Sequence, residues 1–219
     1  YQTDGLLYGG YFVKEKTAPE GFKLDENTYY FEISEDGKIY TFHIRDGVYF
    51  SDGTLCDANA ILANFNAIIE NKERHTWLEM MNLLVGVSAP DDSTFVIELS
   101  EAYYPMLTEL GCIRPFAMIS PACMIDGSTK DGVNGYIGTG PYVLTDFVTD
   151  EYAIFERNEN YWGEAPAIRK ITVKVIPDNQ TRIMALENGE IDLIFGKNML
   201  DADAISQYVD SDKFTVGLS

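Results

Sequence analysis

Alternating apolar and polar residues predict two neighbouring strands in the first quarter of the chain. The stretch YYFEISEDGKIYTFHIR, residues 29–45, holds two such runs on either side of Asp36–Gly37, a dipeptide typical of tight hairpin turns. In the second run Tyr40, Phe42 and Ile44 share one face, because successive side chains of a strand point to opposite sides. We expect that face to be buried.

The apolar spacing changes to a helical period after the hairpin. Ile61, Phe65 and Ile68 recur every three or four positions, and Asp57 is a suitable residue to cap the start of this helix. Residues 74–84, RHTWLEMMNLL, predict a second helix by the same criterion.

Strand and helix patterns continue to the end of the chain. Residues 94–100 and 171–177 predict strands, Asp178 can cap a helix that stops at Gly189, and residues 191–195 predict a returning strand. A strand–helix–strand unit joins parallel strands. The predicted fold class is therefore α/β, with a mixed sheet and flanking helices.

The charge of the chain disfavours two classes of partner. It has 16 basic and 35 acidic residues, a formal net charge of −19, which repels nucleic acids and anionic lipid surfaces. Fourteen Tyr, twelve Phe and a hydrophobic content of 46% indicate a packed core rather than a disordered acidic chain. No stretch approaches the roughly 18 consecutive apolar residues of a membrane span.

No catalytic motif is recognisable. GTGPY, residues 138–142, lacks the Lys-Ser/Thr pair of a phosphate loop, and Cys112 with His75 forms no nucleophile pair. Cys56, Cys112 and Cys123 include no metal-ligand spacing; a bond between the last two is left open, with free thiols favoured. We predict a binding protein with no intrinsic cofactor or metal site, and not an enzyme.

Four stretches resemble consecutive motifs of the family-5 solute-binding proteins of ABC importers, which capture peptides, nickel and related solutes. They are YTFHIRDGVYFSDGTLCDANA (residues 40–60), GTGPYVL (138–144), RNENYWGEAPAIRKI (157–171) and IPDNQTRIMALENGEIDLI (176–194). The resemblance covers residues 34–219. It implies the first lobe of a two-lobed fold of the periplasmic-binding-protein type II kind, so that we expect the chain to be a piece of a longer protein.

Two further stretches are similar to the nickel-binding members of this family: NKERHTWLEMMN (71–82) and AYYPMLTELGCIRPFAMISP (102–121). Those members hold the metal through a small carboxylate-rich metallophore. The resemblance implies that Arg74, Trp77 and Arg114 contact this ligand, while the metal-contacting histidine of the family belongs to the second lobe. An oligopeptide-binding protein is the alternative within the family.

The arginines suit such a ligand on physical grounds. Arg114 is the only charge in the apolar stretch of residues 110–121, and a guanidinium can meet a planar carboxylate with two parallel hydrogen bonds. Trp77, three residues after Arg74, is expected to share its helical face and offer an apolar wall. The alternative left open is that Arg114 pairs with Glu109 or another internal acid.

The resemblance also implies a location and a partner. We expect an extracytoplasmic protein, periplasmic or lipid-anchored at a Gram-positive cell surface, that delivers its cargo to the permease of an importer. We expect it to be a monomer.

Residues 1–33 are predicted to form a separate β segment. GLLYGGYFVKEKTAPEGFKLDENTYYFEI, residues 5–33, resembles the end of a collagen-adhesin B-type domain, so a Gram-positive surface adhesin module is a second alternative. In such domains a glutamate promotes an isopeptide bond. The matching Glu15 lacks the lysine-bearing strand, and we expect an ordinary structural role for it. Residues 19–21 predict a turn, and the two resemblances meet at Ser34.

Overall fold

The structure, a computed structural model, describes residues 8–18, 24–196, 199–209 and 211–217 of the 219-residue chain. These residues fall into two units. The larger unit is drawn from residues 1–144 and 156–169, and the smaller from residues 145–155 and 170–219. The turn expected at residues 19–21 lies outside the described residues.

A five-stranded sheet organises the larger unit. Its strands are Gly9–Lys14 (β1), Thr28–Ile33 (β2), Ile39–His43 (β3), Leu84–Asp91 (β4) and Thr94–Leu99 (β5). Their order across the sheet is β1-β2-β3-β5-β4, and each neighbouring pair is antiparallel. Most neighbours in this sheet are therefore consecutive in sequence, as antiparallel strands commonly are.

The hairpin predicted at Asp36–Gly37 is confirmed and joins β2 to β3. Ile33 pairs with Tyr40 across the two strands. Gly37 adopts a φ of +68°, a left-handed conformation that glycine reaches without steric cost. A strand of the predicted N-terminal β segment, residues 1–33, thus pairs directly with a strand of the segment that follows it.

The sheet packs against the first helix, Ala58–Glu70 (α1), which the Asp57 side chain caps as predicted. Phe65 of this helix is 3% exposed. Its ring centroid lies 4.8 Å from that of Phe95 on β5 and 5.8 Å from that of Phe116. Three aromatic rings from three elements therefore pack together within the core.

The face of β3 predicted to be buried lies against this core. Tyr40 is 2% exposed, as is expected of a core residue, and Ile97 on the neighbouring β5 is fully buried. Phe42 and Ile44 are half-buried and pack against the edge of the same cluster. The prediction is confirmed for Tyr40 and holds in part for the other two residues of that face.

The single helix predicted over residues 74–84 is wrong. Lys72–His75 forms one 3₁₀ turn, a short turn follows, and an α-helix spans only Glu79–Leu83 (α2). Leu78 between them is extended, with φ −95° and ψ 117°, because its side chain is drawn into the core. Tertiary packing here overrides the local helical preference.

The remaining elements are short. In the larger unit they include Met106–Leu110 (α3), Ile113–Phe116 (α4), the 3₁₀ turn Pro121–Cys123, and a two-stranded sheet of Met124–Ile125 (β6) and Ser128–Val133 (β7). Further along the chain, Tyr142–Val148 (β8), Tyr152–Arg157 (β9) and Lys170–Lys174 (β10) form a sheet in the order β10-β9-β8. The smaller unit also contains the helices Asn179–Glu187 (α5) and Ala202–Ser206 (α6).

The strand–helix–strand unit predicted near the end of the chain is incomplete. Asp178 caps α5, and the helix ends just before Gly189, whose φ is +74°, both as predicted. Residues 191–195, however, form no strand. A short apolar run favours an extended strand only where a neighbouring strand satisfies its backbone groups, and none of the described strands pairs with it.

The described elements are those of an α/β chain in which helices flank the sheets, as the sequence predicted. No helix in the described part is both long and apolar enough to cross a bilayer. Cys56, Cys112 and Cys123 are all free thiols, which settles the pairing that the sequence left open.

Replacing Phe65 by alanine is expected to lower the free energy of unfolding by about 3–5 kcal/mol, because it leaves a cavity among three aromatic rings. Asn66→Ala, at the adjacent exposed position of α1, is the control and should change that free energy by less than about 0.5 kcal/mol. Urea unfolding followed by circular dichroism measures both. Equal effects of the two substitutions would contradict the packing described.

Candidate functional site

The end of α1 places Arg74 at the surface. The buried side chain of Asn71 donates a hydrogen bond to the Ala67 carbonyl (2.8 Å), and the Asn71 carbonyl accepts one from the Arg74 N–H (2.9 Å). These bonds attach the 3₁₀ turn to the last turn of the helix. The Arg74 side chain itself is exposed.

Trp77 lies in the turn that precedes α2. The neighbouring Leu78 is buried, and its N–H donates to the His75 carbonyl at 3.0 Å, so the turn is anchored on the core side. Trp77 is nevertheless 61% exposed, which is high for so large an aromatic side chain. Because α2 begins only after Leu78, the expectation that Trp77 shares a helical face with Arg74 is wrong.

Arg114 lies in a second surface segment. It has extended backbone angles, φ −108° and ψ 129°, that interrupt the short α4, and its side chain is exposed. Phe116 is buried against the Phe65 ring and anchors this segment to the core. Residues 72–78 and 112–116 are referred to below as the two arginine segments.

His75 shows that the two arginine segments are near each other. Burial lowers the pKa of the His75 imidazole, and the positive charges of Arg74 and Arg114 lower it further. Both guanidinium groups therefore lie within electrostatic range of one imidazole. A lowered pKa means that the folded chain binds the proton less well than the unfolded chain does. The corresponding stability is present above about pH 6.5 and is lost as the pH falls through the lowered pKa.

Neither guanidinium group has an acidic partner within the described part of the chain. There, the side chains of Arg74 and Arg114 make no hydrogen bond and no ion pair. The pairing of Arg114 with Glu109, left open by the sequence, does not form. Both side chains are exposed to solvent, so each guanidinium is free to meet a carboxylate from outside the chain with two parallel hydrogen bonds, and the pair is a candidate anion site.

Glu109 is occupied by other donors. Its carboxylate accepts hydrogen bonds from the N–H groups of Glu79 (3.2 Å) and Met80 (2.8 Å) and from the Tyr103 hydroxyl (2.8 Å). The sequence suggested Glu109 only as a partner for Arg114. Its bonds to α2 depend on where that helix begins, and α2 begins after Leu78, a residue with no side-chain group to cap a helix.

The arginine segments offer positive charge and donors but no metal ligands. Among the described residues, no group of three or more His, Cys, Asp or Glu side chains is arranged to hold a metal ion. A depression of about 240 Å³ lies along the first segment and α2, and none of the three predicted ligand residues lines it. Its lining residues are Lys72, Glu73, Thr76, Met81 and Asn82.

The class of protein is defined by comparison with known families. The chain belongs to the bacterial extracellular solute-binding proteins, family 5: the family model, described as "family 5 Middle", matches residues 15–216. This confirms the family resemblance found in the sequence motifs and agrees with the prediction of a binding protein rather than an enzyme. The resemblance of residues 5–33 to a collagen adhesin stays a prediction.

Individual relatives refine this class. The chain is 45% identical over 187 residues to the nickel-binding periplasmic protein of Escherichia coli strain K12, covering 85% of this chain and 36% of that protein. The structure of NikA from Brucella suis in complex with Fe(III)-EDTA matches with a TM-score of 0.79 and 44% identity, over 81% of this chain and 36% of that one. DppA from Helicobacter pylori in complex with the peptide STSA matches with a TM-score of 0.68 and 28% identity, over 81% and 38%.

The α/β fold class is confirmed by these structures. The chain spans little more than a third of the length of each of these relatives. The similarity therefore concerns one portion of the full-length proteins.

Replacing Arg114 by alanine is expected to raise the pKa of His75 towards its ordinary value, because one of the two repelling positive charges is removed. Titration of the imidazole resonances by NMR measures this shift in the full chain. The chain has two histidines, and a His43→Gln variant assigns the signals. An unchanged His75 titration would show that Arg114 is not near the first arginine segment.

Proposed function

We propose that this chain is the first lobe of the solute-binding component of an ABC importer, and that it binds nickel as a complex with a small carboxylate-rich chelator. Arg74, Trp77 and Arg114 are the proposed ligand-binding residues. The observation that carries the proposal is the pair of exposed guanidinium groups that act on one imidazole and have no acidic partner among the described residues.

Electrostatics favour a multiply charged anion at this position. The chain as a whole carries −19, so an anion approaching at random is repelled. Two neighbouring guanidinium groups offset that repulsion locally, and each offers two parallel donors to a carboxylate. A chelate with several carboxylates engages both groups at once, which a single carboxylate cannot do with the same geometry.

Trp77 supplies the remaining surface in this proposal. Its exposed ring provides a flat apolar wall for the hydrocarbon part of the chelator, and rigid aromatic side chains lose little conformational entropy on binding. The neighbouring Leu78 is buried and anchors the backbone beside Trp77 to the core.

A chelate is favoured over the bare ion for two reasons. The described residues hold no set of metal ligands, and guanidinium groups repel a free cation. Among the relatives, one is named for nickel binding, and a second was solved with Fe(III)-EDTA, which is itself a carboxylate-rich metal chelate.

The wider role follows from the family. The complete receptor is proposed to act outside the cytoplasm, in the periplasm or lipid-anchored at the cell surface, as a monomer that delivers its cargo to the importer's permease. Differential affinity of the ligand for the closed form would favour closure of the two lobes around it.

A peptide is the second candidate ligand. The relative from Helicobacter pylori was solved with the peptide STSA, and a peptide C-terminus also presents a carboxylate to an arginine. Competition distinguishes the two ligands: in the complete receptor, Ni²⁺–citrate should displace bound Fe(III)-EDTA, and a tetrapeptide should not. Displacement by the peptide at comparable concentration would favour a peptide as the ligand.

In the complete receptor, Arg114→Ala should weaken binding of Ni²⁺–citrate by about 1.5–3 kcal/mol, the scale of a hydrogen bond to a charged group. Arg114→Lys should recover only part of the loss, because an ammonium group cannot reproduce the planar fork. Isothermal titration calorimetry measures both. The melting temperature should hardly change, since the Arg114 side chain is exposed and makes no bond within the described residues.

Lys14→Ala is the matched control, because it removes one positive charge from an exposed position on β1. It should leave the affinity within about twofold of the wild type. The site assignment is wrong if Lys14→Ala and Arg114→Ala weaken binding equally, or if Arg114→Ala unfolds the protein while the folded remainder binds normally.

The full 219-residue chain is not expected to bind free Ni²⁺ with sub-micromolar affinity. Tight binding of this ion needs several well-placed nitrogen or sulfur ligands, and the described residues provide no such group. Calorimetry without chelator, after removal of any histidine tag, tests this. A sub-micromolar dissociation constant would require a metal site that the proposal lacks.

A further inference from the structure

We infer that Glu109 is a positioning residue for the proposed ligand site: it fixes the first arginine segment against the second. The inference rests on the proposed function, since the value of this contact lies in holding Arg74, Trp77 and Arg114 in one arrangement. It adds a residue that does not itself touch the ligand.

The geometry connects both arginine segments through one residue. The Glu109 carboxylate accepts hydrogen bonds from the N–H groups of Glu79 (3.2 Å) and Met80 (2.8 Å), the first residues of α2. Its backbone carbonyl accepts one from the Cys112 N–H (2.9 Å), the first residue of the second segment. The residues directly after the first segment and those at the start of the second are thus bonded to the same residue.

The capping of α2 differs from that of the other capped helices. Asp57, Asp178 and Asp201 cap α1, α5 and α6 from the position just before each helix. At α2 that position is Leu78, and the carboxylate comes instead from Glu109, about thirty residues along the chain. A local cap stabilises one helix, whereas this remote cap also fixes the helix to α3.

The third bond to Glu109 orients its carboxylate. The Tyr103 hydroxyl donates to it at 2.8 Å, and this bond, with burial and the negative charge, raises the pKa of Tyr103 to about 12. The Tyr103 carbonyl in turn accepts a hydrogen bond from Tyr40 of β3 (3.1 Å). These three bonds hold the Glu109 carboxylate towards α2 and Tyr103, and within the described residues it forms no ion pair with Arg74 or Arg114.

A ligand-independent measurement tests the position of the first segment. The chain has two tryptophans, and their indole N–H resonances are separable by NMR after assignment with Trp162→Phe. In the folded full chain, Glu109→Gln should shift or broaden the Trp77 resonance and leave that of Trp162 unchanged. Glutamine keeps the size of the side chain but replaces one acceptor oxygen by a donor, so one backbone N–H of α2 loses its partner.

A ligand-dependent measurement tests the link to the arginines. In the complete receptor, Glu109→Ala should weaken Fe(III)-EDTA binding on the order of tenfold, the scale of about one hydrogen bond. Asp57→Ala removes a cap at the far end of α1, about 20 Å along the helix from Arg74, and should leave the affinity unchanged. In an Arg114→Ala background, Glu109→Ala should cost less than it does in the wild type, because the first arginine segment then has no Arg114 to be aligned with.

The outcomes separate this inference from the proposed function. The inference is supported if Glu109→Ala lowers affinity more when Arg114 is present than when it is absent and Glu109→Gln moves the Trp77 resonance. It is overturned if Glu109→Ala and Asp57→Ala have the same effect on affinity, or if the Glu109 effect is equal in both backgrounds. If the wild type binds neither Fe(III)-EDTA nor Ni²⁺–citrate, the proposed function fails. The Trp77 resonance then decides alone, and an unchanged signal overturns the positioning role.

Discussion

The Glu109 carboxylate binds the start of a helix rather than a guanidinium group, and the candidate site depends on this choice of partner. It accepts from two backbone N–H groups of α2 and from Tyr103. Arg74 and Arg114 are exposed and have no acidic partner among the described residues, although the net charge of the chain is −19. Burial lowers the pKa of His75, and the charges of Arg74 and Arg114 lower it further. The proposed recognition of an anionic metal chelate depends on these two charges.

Local sequence signals predicted the parts of the fold that local interactions determine. The hairpin at Asp36–Gly37 needs only a left-handed glycine and two alternating strands, and α1 and α5 begin at aspartate caps beside them in sequence. The failures occur where distant residues decide. Leu78 is drawn into the core and breaks the predicted helix, and residues 191–195 have no described strand to pair with. Neither outcome can be predicted from ten consecutive residues, because each depends on residues far away in the sequence.

The three candidate ligand residues were predicted from family motifs, and physical arguments alone did not single them out. An isolated arginine in an apolar stretch is compatible with an internal ion pair, and for Arg114 the sequence left that choice open. The structure decides against the pair with Glu109, because the Glu109 carboxylate accepts hydrogen bonds from the N–H groups of Glu79 and Met80 instead. The role inferred for Glu109 was inaccessible from sequence for the same reason. In the sequence, such a remote cap shows only as Leu78, a residue without a capping side chain at the position before the helix.

The central claim is that Arg74 and Arg114 bind a carboxylate of an external ligand, whereas the Glu109 carboxylate accepts hydrogen bonds from the backbone of α2. A crystal structure of the complete receptor with bound Fe(III)-EDTA tests this most directly. We expect carboxylate oxygens of the chelate about 2.7–2.9 Å from both guanidinium groups, with Trp77 against the ligand and Glu109 still bonded to the start of α2. A structure in which Arg114 forms a bidentate pair with Glu109 or another protein carboxylate, and the chelate lies elsewhere, would contradict it.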